Sequence, residues 1–189
     1  MDRVWITGYR SFELNIFNDK DPKIKIIKYA LKNYLINKLE NAEIDWIITG
    51  ANLGVEQWCA EVMMELREEY NVRFSVLIPY TNFADRWNEN NQAKFINIKN
   101  GADFFASTSN SPYSSPMQLK NYQNFIVDHT DQALMIYDPE HPGKSKYDYQ
   151  LIKNKQEVKE YPLDLIDFYD LQDSAEEYQE NHNFKNSYN

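Results

Sequence analysis

Two loops of this 189-residue chain combine glycine with side chains that can bind an anionic group. In the first loop, Thr7 and Gly8 end a short apolar run, and Arg10 follows two residues after the glycine. Glycine permits a sharp turn and a close approach of the backbone to a ligand. Arginine can bind a phosphate or a carboxylate through two parallel hydrogen bonds. The pattern predicts that Thr7, Gly8 and Arg10 contact an anionic ligand.

The second loop follows another apolar run and contains Gly50, Asn52, Gly54 and Glu56. We expect Gly54 to open a helix, whose free N–H groups and positive dipole end suit a phosphate. Glu56 would then lie in the first turn, where it can accept hydrogen bonds from ribose hydroxyls, or act as a general base if burial raises its pKa. The alternative is that both glycines are turn residues and that Glu56 interacts only with the helix dipole.

Other segments contain further candidates, each with a plainer alternative. Tyr113 lies in the Ser- and Pro-rich segment 107–116 and can stack on a nucleobase, although packing is the default role of an aromatic side chain. Lys144 lies in the run 143–146, which is either a second phosphate contact at a helix start or a solvated turn. The three histidines have no ligand spacing with acids or with the single cysteine, so we expect no metal site.

Short apolar runs indicate strands, and the amphipathic segments between them indicate helices of roughly 12–18 residues. The runs are continuous rather than alternating, as in parallel strands that are buried on both faces. We therefore expect an α/β fold, a Rossmann-like three-layer sandwich with a mostly parallel sheet of about six strands. The predicted strands are residues 4–7, 46–49, 74–78, 102–106, 133–137 and 163–168. A ligand of such a sheet binds beyond the carboxyl ends of the strands, where the glycine loops lie.

Charge is unevenly distributed along the chain. The formal net charge is −9, but residues 160–189 hold eight acidic residues and one lysine, so residues 1–159 are nearly neutral. A nearly neutral body permits an anionic small molecule and argues against an extended nucleic-acid interface, which needs basic surface. We expect one domain over residues 1–172 and an acidic C-terminal tail, residues 173–189, that is frayed or disordered.

The sequence also bears on where the protein works. No apolar run approaches the roughly 20 residues that a membrane helix requires, and the N-terminus has no apolar signal core. A single cysteine, Cys59, excludes an internal disulfide. We therefore expect a cytoplasmic protein without membrane insertion, and leave open whether it forms a homo-oligomer.

Several short runs, spread over most of the chain, together match the pattern of one protein family. They are residues 7–14, 53–58, 112–116 and 143–147, with Pro79, Trp87-Asn88 and Tyr137-Asp138 between them. The chain thereby resembles the YpsA-like family. That family belongs to the SLOG superfamily of Rossmann-like nucleotide-ligand proteins, which also includes the LOG phosphoribohydrolases and DprA. The resemblance covers residues 3–172.

The resemblance implies a site for a nucleotide-type ligand such as NAD or an ADP-ribose derivative. Gly54 and Glu56 would be its central residues, with Gly8 and Arg10 flanking them and Pro79 matching the pattern nearby. Asn52 departs from the pattern but keeps a side-chain amide that can contact the ligand. The family usually has Gly-Gln where this chain has Ala-Asn at residues 51–52. A positive φ at residue 51 would cost alanine more than glycine, so the geometry of this loop is a test of the resemblance.

Two kinds of function follow from the resemblance. The first is a sensor or regulatory protein that binds a nucleotide-derived small molecule, with a link to cell division or envelope stress in Gram-positive bacteria and a cell-division protein as a partner. The alternative is an enzyme, a nucleotide N-glycosidic hydrolase like the LOG phosphoribohydrolases, with Glu56 as the catalytic residue. The double glycine and the threonine of the LOG motif are missing from residues 49–56, which favours the first function.

Overall fold

A sheet of parallel strands lies between two layers of helices in the computed structural model, which describes residues 2–186. Its strands are β1 Arg3–Gly8, β2 Trp46–Thr49, β3 Arg73–Ile78, β4 Phe104–Ser107, β5 Gln132–Ile136 and β6 Leu163–Ile166. Its helices are α1 Pro22–Glu40, α2 Val55–Leu66, α3 Glu89–Gly101, α4 Met117–Asp128, α5 Lys146–Gln156 and α6 Phe168–Asn186. A short 3-10 helix, Ser11–Leu14, follows β1.

Strands and helices form here for local reasons that are visible in the sequence. β1 is buried from Val4 to Gly8, as its continuous apolar run predicts. α1 begins at Pro22, whose missing N–H costs nothing in a first turn. The carboxylate of Asp21 caps this helix by accepting a hydrogen bond from the backbone N–H of Lys23 at 2.9 Å.

The strand order is β4-β3-β2-β1-β5-β6, and each of these neighbouring pairs is parallel. The chain builds the sheet outward from β1 to β4 and then returns to the other side of β1 with β5. The direction of winding therefore reverses between β1 and β5. The loops after these two strands diverge at such a switch point and leave a crevice between them.

The helices form the two outer layers. α1 contacts α2 and α6, and α2 contacts α3, whereas α4 contacts α5. Right-handed crossovers explain this grouping, because the reversal after β4 moves α4 and α5 to the opposite face of the sheet. None of the helices in the described part of the chain is long and apolar enough to cross a membrane. The predicted Rossmann-like three-layer α/β sandwich is confirmed.

β4 begins at Phe104, two residues later than the sequence predicts. Ala102 still belongs to the end of α3, since its N–H donates to the carbonyl of Ile98 at 3.0 Å. The carboxylate of Asp103 then accepts a hydrogen bond from the backbone N–H of Phe74 at 3.0 Å. The backbone N–H of Asp103 also donates to the carbonyl of Phe74 at 3.0 Å, and the register of β4 with β3 begins at the next residue, with Phe104 opposite Ser75.

The C-terminal segment differs from the expectation of a frayed or disordered tail. α6 continues to Asn186, so residues 173–186 are helical, and residues 187–189 lie outside the described part. Tyr178 packs edge-on against Tyr29 of α1 with ring centroids 5.4 Å apart, and Asn181 donates to the Tyr29 hydroxyl at 3.0 Å. Packing on α1 thus orders a segment whose acidic composition alone predicts disorder.

Candidate ligand-binding cleft

A cleft of about 610 Å³ opens at the carboxyl ends of the strands. Its walls come from the loop after β1, the start of α2, the segment after β3, helix α4, and the loop and first turn of α5. The polar side chains that line it include Arg10, Asn52, Glu56, Lys120, Tyr122, Gln123, Lys144, Lys146 and Asp148. The switch point of an open α/β sheet is the position at which such folds bind their ligands.

Glu56 lies at the floor of this cleft and is 3% exposed. Its Oε1 accepts a hydrogen bond from the hydroxyl of Thr7 at 2.9 Å. Its Oε2 accepts from the backbone N–H of Asn52 at 2.8 Å and from the Nδ2 of the same residue at 2.9 Å. An ionised carboxylate has about four acceptor positions, so the protein itself uses most of the capacity of Glu56.

Asp148, in the first turn of α5, is a second buried acid in the cleft and is 5% exposed. Gln123 of α4 donates to its Oδ1 at 2.5 Å. Burial raises the pKa of Asp148 to about 6, and the negative charge of Glu56 acts in the same direction. The positive charge of Arg10, the hydrogen bond from Gln123 and the nearby hydroxyl of Thr7 oppose this shift. The cleft therefore holds a carboxyl group that changes its charge close to neutral pH.

Tyr122 of α4 is buried beside the two acids. Its burial and the negative charges of Glu56 and Asp148 raise the pKa of its hydroxyl well above the ordinary value. Gly50 provides the space for this arrangement, because a Cβ at residue 50 would overlap the carboxylate of Glu56 and the hydroxyl of Tyr122. Gly50 thus shapes the floor of the cleft by leaving room for two other groups.

The loop after β1 and the loop before α5 are fastened to each other. Glu13 accepts hydrogen bonds from the backbone N–H of Arg10 at 2.7 Å and from that of Lys144 at 2.6 Å. The buried Ser145 donates to the carbonyl of Gly8 at 2.7 Å, and Nη1 of Arg10 donates to the Ser145 hydroxyl at 3.3 Å. The backbone N–H of Lys144 is thus already used within the protein, whereas its side chain lines the cleft.

The structure places Gly54 outside the lining of this cleft. It has φ 124° and ψ −139°, and it forms an antiparallel bridge with Arg10. The N–H of Val55 at the start of α2 donates to the carbonyl of Tyr9 at 3.1 Å, so it is not free for a phosphate. Gly54 joins the loop after β1 to α2 and lines a second cleft of about 580 Å³ on the other side of the bridge.

The other predicted residues are placed as follows. The cleft brings together Arg10, Asn52, Glu56, Pro79 and Lys144, with Thr7 and Gly50 directly against Glu56. Gly8 allows β1 to approach β5, since a Cβ there would lie 2.5 Å from the carbonyl oxygen of Ile136. Tyr113 does not line the cleft, because its ring packs on Tyr80 with centroids 5.1 Å apart.

The loop at residues 51–52 has no backbone conformation that requires glycine. Among the described residues other than glycine, positive φ occurs at Asn15 and Ala42, and Ala51 does not need it. Ala51 is buried, and its carbonyl accepts a hydrogen bond from the Nε2 of Gln57 at 3.0 Å. Asn52 reaches Glu56 in this conformation, so alanine at residue 51 carries no backbone cost.

Reasoning from the sequence missed the side chains that α4 and α5 contribute. They are Lys120, Tyr122, Gln123 and Asp148, whereas Lys146 lies in the run 143–146 that was predicted as a phosphate contact or a solvated turn. A polar residue in an amphipathic helix usually faces solvent. An acidic residue in the first turn usually interacts with the positive end of the helix dipole. The one signal nearby was the run 143–147, which contains Lys146 but ends one residue before Asp148.

Charge in the cleft is separated by depth. Glu56 and Asp148 are buried, Arg10 is half-buried, and the three lysines that line the cleft are exposed. Over residues 2–186, no set of three His, Cys, Asp or Glu side chains could hold a metal ion, and this includes the two acids of the cleft. The arrangement can bind a molecule that has an anionic end and a neutral, hydrogen-bonding end.

Comparison with known proteins places the chain in a family. A family model, YpsA, described as the YspA SLOG family, matches residues 4–171. Among solved structures, the X-ray structure of DNA processing protein A (DprA) from Streptococcus pneumoniae is similar with a TM-score of 0.49 and 14% sequence identity. That similarity covers 85% of this chain and 58% of the DprA chain.

Curated relatives match over nearly their whole length. The UPF0398 protein of Lactobacillus helveticus is 71% identical over 182 residues, which cover 96% of each chain. The UPF0398 protein of Lactobacillus gasseri is 61% identical over 188 residues, which cover 100% of each chain. The family model, which matches nearly the whole chain, shows that the chain belongs to the YspA SLOG family, and this membership suggests nucleotide-related binding.

Proposed function

We propose that this chain is a sensor or regulatory protein that binds a nucleotide-derived small molecule, of the NAD or ADP-ribose type, in the cleft. The observation that carries the proposal is the separation of charge, with buried carboxyl groups at the floor and exposed cations at the rim. A nucleotide combines phosphates, which suit the cations, with neutral hydroxyl and amino donors, which suit the carboxyls. The position at the switch point and the membership of the SLOG family support the same class of ligand.

Isothermal titration calorimetry with NAD, ADP-ribose and AMP tests this proposal. The double substitution of Lys144→Ala and Lys146→Ala should weaken binding by about tenfold or more at low salt, since charged partners of a phosphate are lost. The matched control changes two exposed lysines outside the cleft, Lys153→Ala and Lys159→Ala, and should bind as the wild type does. Absence of binding to all three compounds by the wild-type protein would refute the proposal.

In a sensor, ligand binding changes the interaction with a protein partner. We propose that this partner is a cell-division or envelope-stress protein. The bridge between Arg10 and Gly54 separates the ligand cleft from the second cleft, where Phe12 and Phe17 are 49% and 77% exposed. A ligand that engages Arg10 would act on this exposed segment through the bridge. Hydrogen exchange in residues 11–18 should become slower when ADP-ribose binds. Unchanged exchange at saturating ADP-ribose would contradict this route.

A second candidate function is hydrolysis of the N-glycosidic bond of a nucleotide, and the pair of buried carboxyls favours it. Burial raises the pKa of Asp148 to about 6, which suits proton transfer near neutral pH, and the hydrogen-bonded carboxylate of Glu56 lies beside it. In this reaction water adds to C1′ of the ribose, the C1′–N bond breaks, and the base leaves with a proton.

Chromatography of AMP incubated with the protein tests for this activity. Released adenine, and loss of the release in Glu56→Gln, would support it. A wild-type protein that binds AMP and yet releases no adenine would exclude this reaction for AMP and would leave the sensor function in place.

A further inference from the structure

The two buried acids of the cleft differ in how much of their hydrogen-bonding capacity the protein uses. Glu56 already accepts three hydrogen bonds, one from Thr7 and two from Asn52. Asp148 accepts one from Gln123, and Thr7 lies within hydrogen-bonding reach of it. Because a carboxylate has about four acceptor positions, Asp148 keeps more capacity for a ligand than Glu56 does.

The charged and titratable groups around Asp148 decide what part of a ligand can approach it. Arg10 faces it from the loop after β1, Glu56 from α2 and Tyr122 from α4. Two lysines at the start of α5 line the same cleft nearer to solvent. A phosphate is repelled by the two acids at the floor and attracted by the cations at the rim. A nucleotide would therefore point its neutral donors towards Asp148.

We propose that Asp148 accepts a hydrogen bond from a ribose hydroxyl of the bound nucleotide and thereby selects ribose over sugars that lack this hydroxyl. The inference rests on the proposed nucleotide binding and identifies Asp148 as the residue that recognises the sugar. Gln123 holds one carboxyl oxygen of Asp148 in place, which orients the group for this contact. A site built to bind a hydroxyl discriminates strongly against an analogue without it, because the buried acceptor is then left unpaired.

Calorimetry with AMP and 2′,3′-dideoxyAMP tests the proposal, since the two probes share their base and phosphate. The wild-type protein should prefer AMP by about tenfold or more, as expected for loss of a hydrogen bond to a charged group. Asp148→Ala removes the acceptor and should bind both probes with the affinity that the wild type has for 2′,3′-dideoxyAMP. Asp148→Asn, which keeps one carbonyl acceptor, should discriminate to an intermediate degree.

Asp173→Ala is the matched control, because Asp173 is an exposed acid on α6 outside the cleft, and it should discriminate as the wild type does. If Asp148 had only a structural role, Asp148→Ala would lose affinity for AMP and for 2′,3′-dideoxyAMP by the same factor. That result would overturn the inference. Equal binding of both probes by the wild type, or full discrimination by Asp148→Ala, would also overturn it while nucleotide binding stands. A wild-type protein that binds none of AMP, ADP-ribose and NAD would refute the proposed function and the inference together.

The pH dependence of ADP-ribose binding provides a second readout. An ionised carboxylate is a better acceptor for a hydroxyl than a protonated one. Each phosphate of ADP-ribose has one ester and one anhydride bond, so it carries a single strongly acidic group and keeps its charge over this range of pH. The affinity of the wild type should fall as the pH is lowered from about 8 to about 5, and Asp148→Ala should show a flat profile. A flat profile in the wild type would contradict a contact with ionised Asp148.

Discussion

Replacement of Gly54 by alanine should destabilise the protein at the junction between the loop after β1 and helix α2. At φ 124° and ψ −139°, Gly54 has a backbone conformation that residues with a Cβ rarely adopt. An added Cβ would also lie 2.5 Å from the carbonyl oxygen of Tyr9 and 2.6 Å from the backbone nitrogen of Ser11. Both neighbours are backbone atoms, so no side chain can rotate away to make room.

The size of the effect follows from these two costs. The backbone conformation costs about 1–3 kcal/mol for a residue other than glycine. Relief of the overlap would break the hydrogen bonds from Val55 to Tyr9 and from Ser11 to Leu53, which are 3.1 and 3.0 Å long, at about 1 kcal/mol each. We therefore expect Gly54→Ala to lower the free energy of unfolding by about 3–5 kcal/mol and the melting temperature by roughly 6–20 °C.

Urea denaturation and thermal melting of Gly54→Ala measure this loss directly. Gly101→Ala is the matched control, because a Cβ at the end of α3 meets only the flexible side chain of Met64. It should change the melting temperature by no more than a few degrees, or about 1 kcal/mol. A Gly54→Ala protein with the melting temperature of the wild type would refute the argument from backbone strain. A loss of unfolding free energy no larger than that of Gly101→Ala would refute it as well.

Three further predictions concern single side chains. Thr7→Val removes the donor to Glu56 and should lower the free energy of urea unfolding by about 1–3 kcal/mol. Because burial raises the pKa of Asp148 from 3.8 to about 6, folding favours its protonated form, and this stabilisation is lost as the pH rises through about 6. Asp148→Asn should therefore stabilise the protein relative to the wild type by about 3 kcal/mol near pH 8 and much less near pH 4, measured by urea unfolding at both values. Tyr178→Ala removes the ring contact with Tyr29 and should speed hydrogen exchange in residues 173–183 without unfolding the sheet.

Each of these predictions has a result that would contradict it. Unchanged stability of Thr7→Val would show that Glu56 does not depend on the hydroxyl. An equal effect of Asp148→Asn near pH 4 and pH 8 would show that Asp148 titrates alike in the folded and unfolded chain. Exchange of α6 at the wild-type rate in Tyr178→Ala would show that the contact with Tyr29 does not hold the helix.

Much of the fold could be predicted from the sequence because its signals are local. The strand β2, for example, is a short apolar run that ends at a glycine, and α1 follows the cap and proline at residues 21–22. Such features depend on neighbours within a few residues. The C-terminal helix was not predicted, because it depends on contacts of Tyr178 and Asn181 with Tyr29, about 150 residues away in the chain.

The candidate site could be predicted only in part. The glycine loops after β1 and β2 pointed to Arg10, Asn52 and Glu56, and all three line the cleft. The opposite wall, from α4 and α5, carries Asp148 and Tyr122, and neither residue lies in a motif. The structural role of Gly54 could not be predicted from its position in the sequence. Only the bridge with Arg10 shows that Gly54 joins two loops.

By itself the sequence determined the strands, the helices between them and the parallel sheet, because apolar runs and helical periodicity act over short distances. It also determined the glycine loops that follow the carboxyl ends of β1 and β2. Only the tertiary structure decided that Asp148 lies beside Glu56, which is 92 positions earlier in the chain. The strand order puts β5 next to β1, so α5 begins over the carboxyl end of β1. Burial at that junction, where water is excluded, is what raises the pKa of an otherwise ordinary aspartate.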